Sequence, residues 1–216
     1  MKKQGNPVLI LGTGAIAKDI ADLVAEDGVN HVAGFVVDQP PFVRGTQLVG
    51  KPIFWVDELE DIPKDYPILC GVAKMRKIQF IARVREMGFQ FMHFIHSSSR
   101  VSETVTIGEG VVVNGGVQIA AGARLGDFVY INRGALIGHD TLIGAYSVIS
   151  PGANIAGSVS IGESTYVGIG AIIIERVKIG SNCFIGAGSL VTQDVPDRVK
   201  VVGMPARIIE RDIKDF

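Results

Sequence analysis

Residues 119 to 137 read Ile119-Ala120-Ala121-Gly122-Ala123-Arg124-Leu125-Gly126-Asp127-Phe128-Val129-Tyr130-Ile131-Asn132-Arg133-Gly134-Ala135-Leu136-Ile137, with an aliphatic side chain at every sixth position. Counting outward, the aliphatic series runs unbroken from Ile95, Val101, Ile107 and Val113 to Ile179, Ile185 and Val191. Four places after each aliphatic stands a small or β-branched residue, from Val105 and Val111 through Thr141, Ser147, Thr165 and Cys183 to Val195. A period of six suits neither a helix nor a plain alternating strand, so each hexamer is one short strand and one bend. Three bends close a triangle, and stacked coils of about eighteen residues put one large and one small side chain per hexamer inside the prism. The segment from 95 to 195 is thus expected to form a parallel β-helix of roughly five and a half coils. A β-sandwich would give irregular strand and turn spacing instead. The residue just after each aliphatic is mostly Gly, Ala, Asn or Ser (Gly108, Asn114, Ala120, Gly126, Gly144, Ser150), which suggests that the positive-φ corner lies there. Ile174 and Thr192 fit that position poorly, and Cys183 falls on the inward small series as a core residue.

Ahead of the repeat the pattern changes. Pro7 to Gly12 reads as a buried parallel strand that runs into Gly12-Thr13-Gly14-Ala15-Ile16-Ala17 and an amphipathic helix from Lys18 to Ala25. Glycines in that spacing let backbone amides at a helix N-terminus approach a phosphate closely. A second strand, His31 to Val37, ends in Asp38, whose carboxylate can accept hydrogen bonds from a ribose or a base. A further strand, Pro67 to Val72, precedes a helix from Met75 to Met87, and Phe89 to Ile95 leads into the repeat. This is one mononucleotide-binding half, where a dinucleotide such as NAD needs two. The expected division is residues 1–95 and residues 96–216.

At 216 residues the chain has room for two modest domains, and its 27 glycines beside 47% hydrophobic residues exclude disorder. A formal net charge of −1 offers no basic surplus for nucleic acid or anionic lipid. No signal-peptide core or membrane-length apolar stretch is read, so a cytoplasmic protein without membrane insertion is expected. Cys70 and Cys183 are too few and too far apart for a disulfide framework or a zinc site, and no metal is expected. Of the four histidines, only His139 lies well inside the repeat. It stands two places after the inward Ile137, on the outside of a corner, with Asp140 next to it. A neutral imidazole accepts a proton near pH 7, and a neighbouring carboxylate fixes its tautomer.

The hexapeptide series, the segment Ile137-Gly138-His139-Asp140-Thr141-Leu142-Ile143-Gly144 and the closing Val202-Gly203-Met204-Pro205-Ala206-Arg207 resemble the hexapeptide-repeat acyltransferases. More narrowly, the whole chain resembles bacterial sugar acyltransferases that acetylate nucleotide-linked amino sugars or sialic acid. The fold implied is a small Rossmann-like α/β domain followed by an all-β left-handed parallel β-helix. The resemblance implies acetyl-coenzyme A as acyl donor, a homotrimer, and direct transfer to the amine of a nucleotide sugar such as a UDP-4-amino-4,6-dideoxy sugar. Transfer to a sugar hydroxyl of the sialic acid type, and a non-catalytic β-helix scaffold, are the alternatives. In the family pattern His139 is the base, Asp140 supports it and Asn132 helps hold the sugar. Gly12, Gly14 and Asp38 would hold the nucleotide, with Arg76 where the family often has an arginine. Coenzyme A would run past Gly157 and Gly170, with its adenine end near Pro205, Ala206 and Arg207. The family loop commonly carries Gly-His where this chain has Ala15-Ile16.

Overall fold

Every hexamer of the repeat becomes a strand of two residues, and each strand pairs in parallel with the one a full coil later, as Gln118–Ile119 does with Leu136–Ile137. The computed structural model describes residues 5–41, 43–72 and 77–214. Three ladders result. The first face begins at Phe94–Ile95 and continues through Val112–Val113 and Tyr130–Ile131. The second begins at Arg100–Val101 and the third at Thr106–Ile107. Backbone amides of each coil donate to carbonyls of the next, for example Gly138 N to Ile155 O at 2.8 Å, so the stack satisfies its own peptide groups.

From Val111 onward both inward series are buried as the spacing requires, while Ile95, Val101, Val105 and Ile107 in the first coil are half-buried. Ile131, Ile149, Val167, Ile173 and Ile185 have no exposed surface, and neither do their small companions Val129, Ala135, Thr141, Ser147, Thr165 and Cys183. Burying each large aliphatic contributes about 1.5–3 kcal/mol, so the axis of the prism is the main source of its stability. Polar members of the small series are paired with backbone. Thr165 Oγ1 donates to Gly180 O at 2.9 Å and accepts from Cys183 N at 3.1 Å, while Ser147 Oγ donates to Gly162 O and accepts from Thr165 N.

The corner chemistry differs from the sequence expectation. From Ile107 to Ile185, positive φ falls three places after each inward aliphatic, at Gly110, Gly116, Gly122, Gly134, Gly152, Gly170 and Gly188, and also at the non-glycine residues Phe128, Asp140, Tyr146, Ser158, Ser164, Arg176 and Asn182. The position just after the aliphatic is small for another reason. A Cβ on Gly138 would lie 2.4 Å from the carbonyl carbon of Ala156 and the nitrogen of Gly157 in the next coil. Close stacking of coils, and not a left-handed backbone, holds that position to small residues.

The repeat ends by shortening. Ile179 bridges to Val195 and Ile185 pairs with Val201, two residues short of a full coil in each case. The chain then closes in an antiparallel hairpin of Val199–Val202 with Arg207–Arg211.

The N-terminal part forms its own compact unit, Met1–Met92, and the second unit, His93–Phe216, holds the β-helix. The boundary falls before residue 95 because Phe94–Ile95 is already the first rung of a face. In the front unit, β1 (Asn6–Leu11) leads to α1 (Ala15–Asp27), β2 (Asn30–Val37), β3 (Gln47–Leu48) and β4 (Lys51–Trp55); after a 3-10 helix, Val56–Asp61, come β5 (Ile68–Cys70) and α2 (Lys77–Glu86). The sheet order is β3-β4-β2-β1-β5, parallel except for the β3–β4 hairpin. Sequence reading passes over β4, a half-buried strand with a proline near its start; α1 is longer than expected, and α2 ends at Glu86, one residue before the expected Met87, while its expected start at Met75 lies outside the described residues. The connection reverses at β1, which has β2 on one side and β5 on the other, so the topological switch point lies at the carboxyl ends of β1 and β5.

Candidate active site

His139 and Asp140 occupy the corner after the second face. Asp140 is one of the left-handed corner residues, with φ of 56°, a conformation that aspartate tolerates better than most side chains. Its backbone N–H donates to Ala121 O at 2.9 Å in the preceding coil, and His139 O accepts from Ser158 N at 2.7 Å in the following one. The pair is therefore pinned by backbone from both sides.

The side chains meet each other. Asp140 Oδ2 lies 2.9 Å from His139 Nδ1, and both side chains are about two-thirds exposed, at 67% and 68%. A carboxylate only accepts, so Nδ1 carries the hydrogen and Nε2 presents its lone pair outward. The imidazole lies over Gly157 in the next coil, where an added Cβ would stand 2.4 Å from Nε2 and 2.7 Å from Cε1. On the other side, a Cβ on Gly122 would stand 2.4 Å from Asp140 Oδ1. Two glycines, one coil before the aspartate and one coil after the histidine, thus leave the room in which the pair sits. The family resemblance implies a coenzyme role for Gly157, and Gly122 is not among the expected site residues, although its eighteen-residue spacing from Asp140 points to it.

Beside this corner, the second face carries a shallow groove of about 800 Å³ lined by Ser99, Ser102, Gln118, Leu136, Gly138, Asn154 and Ala156 among others. Leu136 and Ile172, at outward positions of this face, are each 39% exposed. The Gly157 N–H makes no hydrogen bond among the described residues, so it can serve an oxygen arriving beside the imidazole.

Other expected site residues lie apart from this pair within one chain. Asn132 stands at the corner after the first face, half-buried, where its Oδ1 accepts from Arg133 N at 2.8 Å. Gly170 is at that same kind of corner, with φ of 62° and its N–H donating to Pro151 O at 3.0 Å, whereas Gly157 shares the corner of His139. Pro205 and Ala206 lie in the turn of the closing hairpin, with Ala206 N donating to Leu190 O at 2.8 Å, and Arg207 begins its exposed second strand.

In the front unit, Gly12 has φ of 86° and its N–H donates to Val36 O at 2.8 Å, which turns the chain from β1 into the loop. Gly14 caps α1 without any side-chain hydrogen bond, and no acidic residue stands in the first turn. A helix N-terminus without an acidic first turn carries a positive dipole end suited to an anion. Gly71 after β5 lets α1 approach closely: a Cβ there would lie 2.7 Å from Ala17 Cβ. Asp38 follows β2 at the same sheet end. Arg76 lies outside the described residues. Just beyond it, burial pushes the Lys77 ammonium down to about 8, with the Cys70 thiol acting in the opposite direction. Burial raises that thiol.

Among the described residues no group of histidine, cysteine and acidic side chains forms a metal cluster, and no helix is long and apolar enough to cross a membrane.

Residues 158–193 match the family model "Bacterial transferase hexapeptide (six repeats)". No curated protein matches the sequence. Among solved structures, the acetyltransferase domain of PglB from Neisseria gonorrhoeae, in complex with acetyl coenzyme A, is 30% identical over 95% of this chain and 100% of that one, with a TM-score of 0.87. PerB from Caulobacter crescentus, in complex with CoA and GDP-perosamine, is 33% identical over 95% and 98% of the two chains, with a TM-score of 0.84. WeeI from Acinetobacter baumannii is 25% identical over 94% and 100%, with a TM-score of 0.86. With the coil register, the corner histidine and likeness across nearly the full length of these enzymes, the chain belongs to the hexapeptide-repeat sugar acetyltransferases.

Proposed function

We propose that this enzyme transfers an acetyl group from acetyl-coenzyme A to the amine of a nucleotide-linked amino sugar, with His139 as general base. The observation that carries the reading is the His139–Asp140 pair, with Nδ1 held at 2.9 Å by the carboxylate and Nε2 open above Gly157. Two solved relatives add to it, PglB with acetyl coenzyme A and PerB with CoA and GDP-perosamine.

A thioester is already activated, so the reaction needs no covalent enzyme intermediate. The sugar amine attacks the thioester carbonyl and its proton passes to His139 Nε2. Asp140 stabilises the imidazolium that results, and the Gly157 N–H donates to the developing oxyanion. The carbon–sulfur bond then breaks, and the imidazolium returns its proton to the coenzyme A thiolate. The products are the N-acetyl sugar and free coenzyme A. Holding both substrates at one corner supplies the proximity term.

The pantetheine arm runs past Gly157 and Gly170, and the adenine end lies near Pro205, Ala206 and Arg207. Gly12 and Gly14 at the open end of α1 take the nucleotide phosphates, Asp38 takes the ribose or base, and Arg76 adds a positive charge. Asn132 binds the sugar. Because Asn132 and His139 stand on different corners of one prism, this reading calls for a homotrimer, in which the two corners meet across subunits.

The test is an acceptor panel with acetyl-coenzyme A: GDP- and UDP-linked 4-amino sugars against free sialic acid. Turnover with a nucleotide-linked amine and none with sialic acid is expected; turnover with sialic acid alone overturns the proposal. His139→Ala should lower kcat by at least about a hundredfold while coenzyme A affinity stays nearly unchanged, and near-normal kcat in that variant removes the base.

A further inference from the structure

We propose that Gly122 is a positioning residue for the catalytic pair, because only a residue without a Cβ at that corner leaves a seat for the Asp140 carboxylate. The inference rests on the reading of His139 as base, while the tautomer measurement that tests it does not. An added Cβ would lie 2.4 Å from Asp140 Oδ1 and 3.4 Å from Cγ, closer to Oδ1 than nonbonded atoms approach. The backbone around the seat has little freedom to yield. Gly122 N donates to Thr104 Oγ1 at 3.0 Å in the coil before, and Asp140 N donates to Ala121 O at 2.9 Å.

What does yield is the carboxylate. It is the far end of a short side chain that is 68% exposed, so a methyl group at 122 turns it into solvent without disturbing the buried axis of the prism. Its bond to His139 Nδ1 is then lost, and with it the tautomer that leaves Nε2 free to accept a proton. Gly122 touches neither substrate nor imidazole in this account; it acts through Asp140.

Gly122 is also left-handed, with φ of 72°, so an alanine there brings backbone strain of its own. Gly152 supplies the matched control. It has φ of 65°, its N–H donates to a corner carbonyl of the previous coil, and a Cβ on it would meet nothing within 4 Å.

The experiment uses the full-length protein labelled with ¹⁵N-histidine, which has only four histidines to assign. At alkaline pH, where imidazoles are neutral, ring nitrogen spectra report which nitrogen of His139 carries the hydrogen. The wild type and Gly152→Ala should show the Nδ1–H form, and Gly122→Ala and Asp140→Asn should both lose it. In steady-state assays Gly122→Ala should lower kcat by about as much as Asp140→Asn, and the double variant should fall within about twofold of Asp140→Asn alone. Retention of the Nδ1–H form in Gly122→Ala, or additive losses in the double variant, overturns the proposal. Should the alanine variant misfold, Gly122→Asn carries the same Cβ in a residue that adopts the left-handed region more readily, and the same two outcomes decide. If the tautomer responds as expected while His139→Ala remains active, the seat stands and the base assignment falls.

Discussion

The imidazole of His139 rests on a residue that the sequence offers only as a glycine in a glycine-rich chain. Gly157 is not left-handed, so alanine suits its backbone, yet the new Cβ would lie within 2.8 Å of three ring atoms. The ring is exposed and turns away easily, so Gly157→Ala should leave the melting temperature within ~2 °C of wild type. Displacing the base by about 1 Å is enough to lower kcat by about a hundredfold, and the pair of measurements separates a misplaced base from a damaged fold. Equal losses of stability and activity would show that the glycine serves the stack and not the ring. The histidine and the aspartate themselves are legible from the sequence, since His139 is the one histidine well inside the repeat and the family pattern puts the base there. Their supports are less visible, because a glycine that makes room for a side chain looks the same as one that turns a corner.

Among elements, the ladder of buried hydroxyls at one corner of the prism shows how polar residues are tolerated in an otherwise aliphatic axis. Thr165 serves two backbone groups, Gly180 O and Cys183 N. Thr165→Val keeps the shape and strands both, so it should cost about 1–3 kcal/mol in urea unfolding, well above an ordinary surface change. In the front unit, Lys77 opens α2 and is only 3% exposed. Its folded value of about 8 lies below the ordinary 10.5, so from about pH 8 upward the unfolded chain holds a proton that the folded chain has released. Stability should therefore rise with pH in that window. Above the ordinary thiol value of 9.0 the raised Cys70 works the other way, since there the unfolded thiol loses its proton while the folded one keeps it. Urea unfolding between about pH 8 and pH 9 should show the rise, and Lys77→Met should flatten it. The half-buried β4 escapes sequence reading because it is shorter and less buried than its parallel neighbour β2 and the strand beyond it, β1.

For the molecule as a whole, the proposed assembly has a direct measure. Light scattering on a sizing column should return three times the 23.0 kDa chain mass, and a monodisperse monomer at assay concentration would remove the shared-corner reading of Asn132 and His139. The sequence by itself determined the β-helix, its three faces and the inward positions, because a side-chain period of six leaves a closed triangular coil as the way to bury both series. It also marked out the α/β front unit and the corner histidine. Only the tertiary structure decided where the left-handed residues fall, why the position after each aliphatic is small, and which glycines cradle the His139–Asp140 pair. Those facts depend on distances between residues a full coil apart, which are set by the stacking of one turn on the next and leave no mark on the composition of either turn.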